Sequence, residues 1–315
     1  MSEYAIHLED VTKQFGDKQA LRGVTFSMPA GTVLGVLGPN GAGKTTTINV
    51  LSTLIRPTSG RATVAGFDVV KQAAAVRKNI GLTGQYAAID EMLTGRENLI
   101  LFGELNGLSR ARAHARAEEL LAAFSLTDAA SRRVSTYSGG MRRRADIACG
   151  LVAAPAVVFL DEPTTGLDPR SRREVWDLVG ALTGQGTSVL LTTQYLDEAD
   201  ALSDSIVVID HGRVIAEGTA DELKHRVGAT VCQVTPVHPV DGPRIAAALA
   251  DIAGAPADLT ADPDTGTLSL PAPHGLATLS EVFRRVETLD IAISDIALRK
   301  PSLDEVFFEL TGAPA

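Results

Sequence analysis

Gly38-Pro39-Asn40-Gly41-Ala42-Gly43-Lys44-Thr45 fits the pattern G-x-x-x-x-G-K-[ST], and its reading decides the fold. Upstream, Val33-Leu34-Gly35-Val36-Leu37 is a short apolar run of the kind that makes a buried parallel strand. Downstream, Thr46 to Ile55 has helical length and an apolar face. A strand, a Gly-rich loop and a helix in that order make a phosphate cradle. Gly38, Gly41 and Gly43 let the backbone turn its N–H groups toward an anion, and the helix N-terminus adds the positive end of its dipole. Lys44 has the reach for β- and γ-phosphates, and the Thr45 hydroxyl suits Mg²⁺. A Gly-rich turn that merely precedes a helix does not account for the matching flanks. The stretch implies a nucleoside-triphosphate site.

Toward the N-terminus, Ala5 to Leu8 reads as a strand, and Leu21 to Met28 alternates at Val24, Phe26 and Met28 as a half-buried antiparallel strand does. Phe15, in the connection between them, offers a face on which a base could stack; packing would explain it nearly as well. Past the first helix, Arg56-Pro57-Thr58-Ser59-Gly60 introduces a short strand from Arg61 to Phe67, and Ile80 to Thr83 is another, ending at Gly84-Gln85. From Leu93 to Leu126 the chain is helical in composition and reads as an insertion. Tyr137-Ser138-Gly139-Gly140-Met141 then opens a helix that carries Arg142-Arg143-Arg144 and runs to Ala153. Its N-terminus is a second potential anion site, while the Arg triplet alone reads as a solvated face.

Val157 to Leu160 is a buried strand that ends in Asp161-Glu162-Pro163. Carboxylates at the C-terminal end of a parallel strand lie where open α/β sheets place their chemistry. Asp161 suits a Mg²⁺–water contact and Glu162 a general base on an attacking water. Val189 to Leu191 is a further core strand, ending at Thr192-Thr193-Gln194. Ile206 to Ile209 and Arg213 to Ala216 form a hairpin with His211 as a turn residue. After about Arg226 the pattern changes to strand (Thr230–Val234), helix (Pro243–Ile252), strand (near Leu259), strand (Thr267–Leu270), helix (Leu276–Val286), strand (Ile291–Leu298). That is the β-α-β-β-α-β order of the ferredoxin-like split arrangement, and no catalytic constellation lies in it. A final helix carries Leu303, Val306, Phe307 and Leu310 on one face, which either closes the module's own core or docks on a partner.

The 315 residues allow two domains. An apolar content of 45% with 21% charged residues is that of an ordinary globular chain. The net charge of −9 argues against nucleic acid as the main partner. Two cysteines far apart, Cys149 and Cys232, suggest reduced thiols in a cytosolic protein, with Cys149 a core residue. No run approaches the ~18 apolar residues of a membrane span, and the N-terminus lacks the regions of a signal peptide.

Taken together these motifs resemble the ATP-binding subunit of ABC transporters over roughly residues 4 to 225. Phe15 matches the aromatic A-loop, and Walker A spans Gly38, Pro39, Asn40, Gly41, Ala42, Gly43, Lys44, Thr45 and Thr46. Gln85 matches the Q-loop glutamine, Ser138-Gly139-Gly140 the signature (YSGGM where LSGGQ is usual), Val157 to Glu162 Walker B and Gly166-Leu167-Asp168 the D-loop. GQYAAIDEMLTGRENL, YSGGMRRR, LLTTQYLDEADALSD and PSLDEVF look most like the daunorubicin-resistance ATP-binding family of drug exporters.

The resemblance implies a P-loop NTPase of the α/β class, an ABC-type nucleotide-binding domain with a RecA-like core, an antiparallel β subdomain and a helical subdomain (about 87–150). This domain would fill residues 1–226 and be followed by a C-terminal α+β ferredoxin-like regulatory or dimerisation domain, 227–315. The implied ligands are ATP and Mg²⁺, the latter on Thr45, Gln85 and Asp161; the implied catalytic residues are Lys44, Glu162 and Gln194. Gln194 stands where a switch histidine is usual, and Met141 replaces the signature glutamine. Two copies would face each other head-to-tail, each ATP lying between one P-loop and the other copy's signature, with Asp168 contributing to the nucleotide site. A separate membrane permease would carry a drug, antibiotic or lipid-like compound outward, the subunit lying on the cytoplasmic face of the membrane. The readings set against this are a non-transport ABC ATPase of DNA repair or translation, for which paired units, coiled coils and zinc cysteines are lacking, and an ATP-sensing regulator, against which Asp161 and Glu162 both argue.

Overall fold

A computed structural model describes residues 4–84, 87–227, 230–252, 260–262 and 265–311. Gln85 and Leu259 therefore lie outside the described residues. The chain divides between Ala220 and Asp221 into two compact units.

The first unit is built on a six-stranded sheet in the order β10-β9-β3-β8-β7-β6. Its strands are β3 (Val33–Leu37), β6 (Ile80–Thr83), β7 (Val157–Asp161), β8 (Ser188–Thr193), β9 (Ser205–Asp210) and β10 (Arg213–Gly218). All pairs are parallel except β9–β10, a hairpin turned at His211 and Gly212. Every residue of β3, β7 and β8 is buried, as continuous apolar runs with helices and a second sheet on their faces require. The period-two alternation sorts the side chains. Val157, Phe159 and Leu190 join one core with Leu34 and Val36, while Val158, Leu160, Val189 and Leu191 point into the other. Each such side chain, fully buried, is worth about 1.5–3 kcal/mol.

The first core lies against an antiparallel sheet, order β2-β1-β4-β5, formed by β1 (Tyr4–Phe15), β2 (Lys18–Pro29), β4 (Ser59–Val64) and β5 (Phe67–Asp68). The strand expected over Ala5 to Leu8 continues to Phe15 because a bulge at Asp10 (φ +46°) re-registers it on β2. The strand expected over Arg61 to Phe67 is broken by a turn at Ala65-Gly66, both with positive φ. Helix α1 (Lys44–Leu51) ends before Ile55, because Thr53 is left-handed and the N–H groups of Leu54 and Ile55 both turn back to Asn49 O.

The second core is covered by helices. After α2 (Ala73–Asn79) come α3 (Gly95–Leu105), begun by a Thr94/Glu97 capping box, and α4 (Arg110–Ala123). Then follow α5 (Gly139–Gly150), ending short of Ala153, α6 (Pro169–Gly184) and α7 (Leu196–Leu202). Both cysteines are buried and unbridged.

In the second unit, which α8 (Ala220–Val227) leads into, β11 (Val231–Pro236), β12 (Thr260–Ala261), β13 (Leu268–Pro271) and β14 (Ile293–Arg299) make an antiparallel sheet in the order β12-β13-β11-β14. Helices α9 (Gly242–Leu249) and α10 (Leu276–Glu287) cover the face that carries Cys232, Val234, Leu268 and Leu270. This is the ferredoxin-like arrangement. The last helix, α11 (Leu303–Thr311), is capped by reciprocal bonds between Ser302 and Glu305; Leu303, Val306 and Phe307 on it are buried.

Candidate active site

Adjacent parallel strands carry the site. The loop after β3, Asp161-Glu162 at the end of β7 and Gln194 after β8 all leave carboxyl ends of neighbouring strands, since β8 pairs with β3 on one side and β7 on the other. Open α/β sheets hold ligands in that crevice.

Glycine is required at two loop positions for different reasons. Gly43 has φ +117°, and a Cβ on Gly38 would stand 2.2 Å from Ile209 O. Lys44, 4% exposed, folds back so that its Nζ donates to Gly38 O (2.7 Å) and Pro39 O (3.3 Å) and lies 3.6 Å from Glu162 Oε1. Burial pulls this ammonium below its ordinary pKa range, and the Glu162 carboxylate pulls it part of the way back. The first N–H bonded within α1 is that of Thr47, to Gly43 O, so the N–H groups of Lys44, Thr45 and Thr46 lack intrahelical acceptors. A desolvated cation beside free N–H donors is an anion receptor. The cleft around it, about 180 Å³, is lined also by Lys18 and Ala20 of β2, by Asn40 and Gly41, and by Glu162.

Thr45 Oγ1 lies 3.4 Å from Asp161 Oδ1, which also accepts from Thr192 Oγ1 at 2.5 Å. Glu162 sits in the left-handed region (φ +48°), its N–H donating to Thr192 O and Oγ1, both at 3.1 Å. Such a conformation in a non-glycine residue costs of order 1–3 kcal/mol and is held here by β8. The Glu162 side chain accepts from Thr165 Oγ1 (3.3 Å) on Oε2. Gln194 is half-buried, and its side chain has no hydrogen-bond partner among the described residues.

The remaining sequence-derived positions do not line this cleft, though Phe15 pairs across β1 and β2 with Lys18, which does. Ser138 and Gly139 are exposed at the N-terminus of α5, where Ser138 Oγ accepts from Met141 N (3.2 Å). Gly140 is packed so closely that a Cβ would meet Ser171 Oγ at 2.3 Å. Asp168 caps α6, its carboxylate accepting from the N–H groups of Arg170 and Ser171 and from Ser171 Oγ; the Ser171 N–H most of all holds it below the usual carboxylate range. Phe15 is exposed at the end of β1, with Lys13 Nζ 4.8 Å from its ring centre.

The Arg triplet is not a solvated face. Arg142 pairs with Glu91 at 2.7 Å, and Arg144 donates to Phe124 O at 2.9 Å. Arg143 is buried, and its guanidinium donates to Gly84 O (2.7 Å), Pro163 O (2.8 Å) and Asp161 O (3.0 Å). It thereby ties α5 to the ends of β6 and β7. Glu198, fully buried on α7, accepts from Thr164 Oγ1 (2.8 Å) and from the indole of Trp176 (3.2 Å), and burial pushes its carboxyl up. Acidic first-turn placement was its only sequence cue.

A P-loop on the middle of a parallel sheet, a strand-end Asp-Glu pair beside it, an antiparallel β layer and a helical layer that starts a Ser-Gly-Gly helix together define an ABC-type ATPase. The comparisons agree. The ABC transporter family profile matches residues 21–165. Doxorubicin resistance ATP-binding protein DrrA of Mycobacterium tuberculosis is 53% identical over 314 residues, 99% of this chain and 95% of that protein. Daunorubicin resistance ATP-binding protein DrrA3 of Streptomyces coeruleorubidus is 54% identical over 312 residues, 99% and 97% of the two chains. Among solved structures, the ATP-binding cassette MJ0796, described as a dimer in a post-hydrolysis state with ADP and Pi, has a TM-score of 0.62 at 26% identity and covers 68% of this chain and 98% of its own. The chain belongs to the daunorubicin- and doxorubicin-resistance ATP-binding family of ABC transporter proteins.

Proposed function

We propose that this chain is the ATP-hydrolysing subunit of an exporter that moves a hydrophobic drug, antibiotic or lipid-like compound through a separate membrane permease, working as a head-to-tail pair on the cytoplasmic face of the membrane. The observation that carries the chemistry is the convergence of Lys44, Thr45, Asp161 and Glu162 at the carboxyl ends of β3 and β7, the two strands that flank β8. The relatives named above are resistance proteins, which supports the transported class. No helix among the described residues is long and apolar enough to cross a membrane, which fits a partner that supplies the span.

The parts divide as follows. Lys44 and the N–H groups of the loop and first α1 turn hold the phosphates. Phe15 offers a stacking face for the base. Glu162 orients or deprotonates the attacking water, and Gln194 donates its amide N–H₂ to a γ-phosphate oxygen. The hydroxyl of Thr45 and the carboxylate of Asp161 are adjacent hard oxygen donors and fit Mg²⁺, with Gln85 as the third expected ligand. Phosphate and water oxygens would complete the shell, as they ordinarily do for this ion. Bound there, the ion would neutralise charge on the phosphates. The domain boundary proposed from sequence, 226/227, puts the ATPase in the first domain and regulation or dimerisation in the second.

Ser138, Gly139 and Gly140 are proposed to serve the nucleotide of the opposite copy, supported by the exposure of Ser138 and Gly139 away from the cleft. Ser138→Arg is therefore expected to leave ATP affinity within about threefold of the parent while abolishing ATP-dependent closure of the head-to-tail pair. Equilibrium binding and ATP-dependent cross-linking of one copy's P-loop to the other copy's signature measure the two quantities; collapse of binding would place this serine at its own chain's nucleotide instead.

Gln194 cannot titrate near neutrality, whereas a histidine there would, with a reference pKa of about 6.5. Gln194→Ala is expected to slow turnover by about tenfold, the loss of one donor to a charged group. Gln194→His should stay active and acquire a pH dependence near neutrality that the parent lacks. The measurement is kcat against pH at saturating Mg-ATP; if Gln194→Ala matches the parent at every pH, the glutamine has no part in hydrolysis.

A further inference from the structure

In the second unit β14 is an edge strand: β11 pairs with one side of it and no described segment pairs with the other. Its side chains sort by register. Ile296 and Leu298 lie opposite Val234 and Cys232 on the core face, and Asp295, Ala297 and Arg299 lie on the outer face. Beside it a groove of about 440 Å³ is lined by Phe283, Val286 and Glu287 of α10 and by Ile291, Ile293, Ser294, Asp295 and Ile296. Phe283 is 56% exposed there. An open edge flanked by a groove of mixed apolar and charged lining, with Phe283 exposed in it, invites another strand.

The sequence of the strand says which. We propose that β14 pairs antiparallel with β14 of a second copy of this chain about a two-fold axis at Ala297, forming one continuous sheet across the two copies without nucleotide. In that register Asp295 faces Arg299 of the copy, twice by symmetry, Ile296 faces Leu298, and Ala297 faces itself. Helices stay on one side of the joined sheet only for even-numbered shifts, since a one-residue slip exchanges the faces. Moving the axis by one residue either way puts each charge opposite an uncharged residue. Moving it by two sets Asp295 against Asp295, or Arg299 against Arg299. The symmetric register about Ala297 is thus the one that pairs unlike charges. Charges on an edge also discourage indiscriminate pairing; opposite signs four residues apart leave this one self-complementary. Within one chain the same two groups lie 3.5 Å apart with side chains 52% and 60% exposed, a contact of little stability. The groove beside the strand receives the apolar edge of the neighbour, so that Phe283 is covered from both copies.

The test is sedimentation of the full chain without nucleotide over a micromolar range. A reversible dimer is expected. Asp295→Arg and Arg299→Asp should each weaken it about tenfold or more, since both symmetry-related pairs become repulsive. The double variant D295R/R299D should restore it to within about threefold, which also shows that loss in the single variants is not misfolding. Ala297→Cys should form a covalent dimer on mild oxidation, the two natural cysteines being buried. A parent that is monomeric without ATP, single variants that associate like the parent, or a double variant no better than either single one would each overturn the proposal.

Discussion

Glu162→Gln is expected to bind Mg-ATP as the parent does and to hydrolyse it about 10²–10⁴-fold more slowly, the range that a positioned general base contributes. The substitution keeps the size of the side chain and its acceptor for the Thr165 hydroxyl, so the left-handed turn held by Thr192 is undisturbed. What it removes is the charge: the carboxylate 3.6 Å from Lys44 and the basic oxygen aimed into the cleft. Lys44 keeps its bonds to Gly38 O and Pro39 O, and an incoming polyphosphate replaces the lost counter-charge, so affinity should not fall. A nucleotide that is held and not cleaved should trap the proposed head-to-tail pair, seen as ATP-dependent cross-linking of one copy's P-loop to the other's signature that persists after free nucleotide is removed. Single-turnover and steady-state rates at saturating Mg-ATP measure the effect. Parental turnover in this variant would remove Glu162 from the chemistry and shift the role to another acceptor in the cleft.

What the sequence could reveal here was whatever is local. The P-loop works through the backbone and side chains of consecutive residues, so Gly38 to Thr46 announce it without knowledge of the fold. Strands β3, β7 and β8 were legible because burial on both faces writes an unbroken apolar run, and Asp161-Glu162 because carboxylates stand at the end of one. Element ends were less legible. The bulge at Asp10 and the left-handed Thr53 are decided by tertiary packing, not by propensity, so β1 ran longer and α1 shorter than their patterns suggested. Least legible was every contact whose partner is a backbone carbonyl or a cross-strand neighbour. Thr192 meets Asp161 through the register of β7 on β8. Asp168 reads as a cap once Pro169 follows it, yet its distance from the P-loop cleft depends on the whole sheet. Arg143 bonds to carbonyls from three separated residues, none of which has a side-chain signature, and in sequence it is the middle of a basic run.

That arginine yields the largest expected loss of stability. Arg143 is 8% exposed, and its three carbonyl acceptors come from Gly84, Asp161 and Pro163; Asp146, 3.5 Å away and itself buried, is its ionic partner. Burial presses the guanidinium toward its neutral form and Asp146 toward protonation, so each charge is tolerated chiefly because of the other and of the three carbonyls. Arg143→Leu would leave Gly84 O, Asp161 O and Pro163 O without this donor and Asp146 without its cation. Breaking a buried pair in this way costs about 3–5 kcal/mol. In a unit of this size each kcal/mol shifts the midpoint by about 2–4 °C, so Tm should fall by about 6–20 °C. Trp176, the only tryptophan of the chain, lies in the same unit and reports the transition by fluorescence. Arg143→Lys keeps a charge and loses the planar fork, and should recover only part of the stability. Because two of the three carbonyls flank Glu162, the leucine variant should also lose turnover at temperatures where it is still folded. Replacing Asp146 by Asn in the Arg143→Leu background should return part of the loss, since the orphaned carboxylate is then neutral. A leucine variant that melts within about 2 °C of the parent would mean that the fork is dispensable, and that α5 is held to β6 and β7 by apolar packing alone.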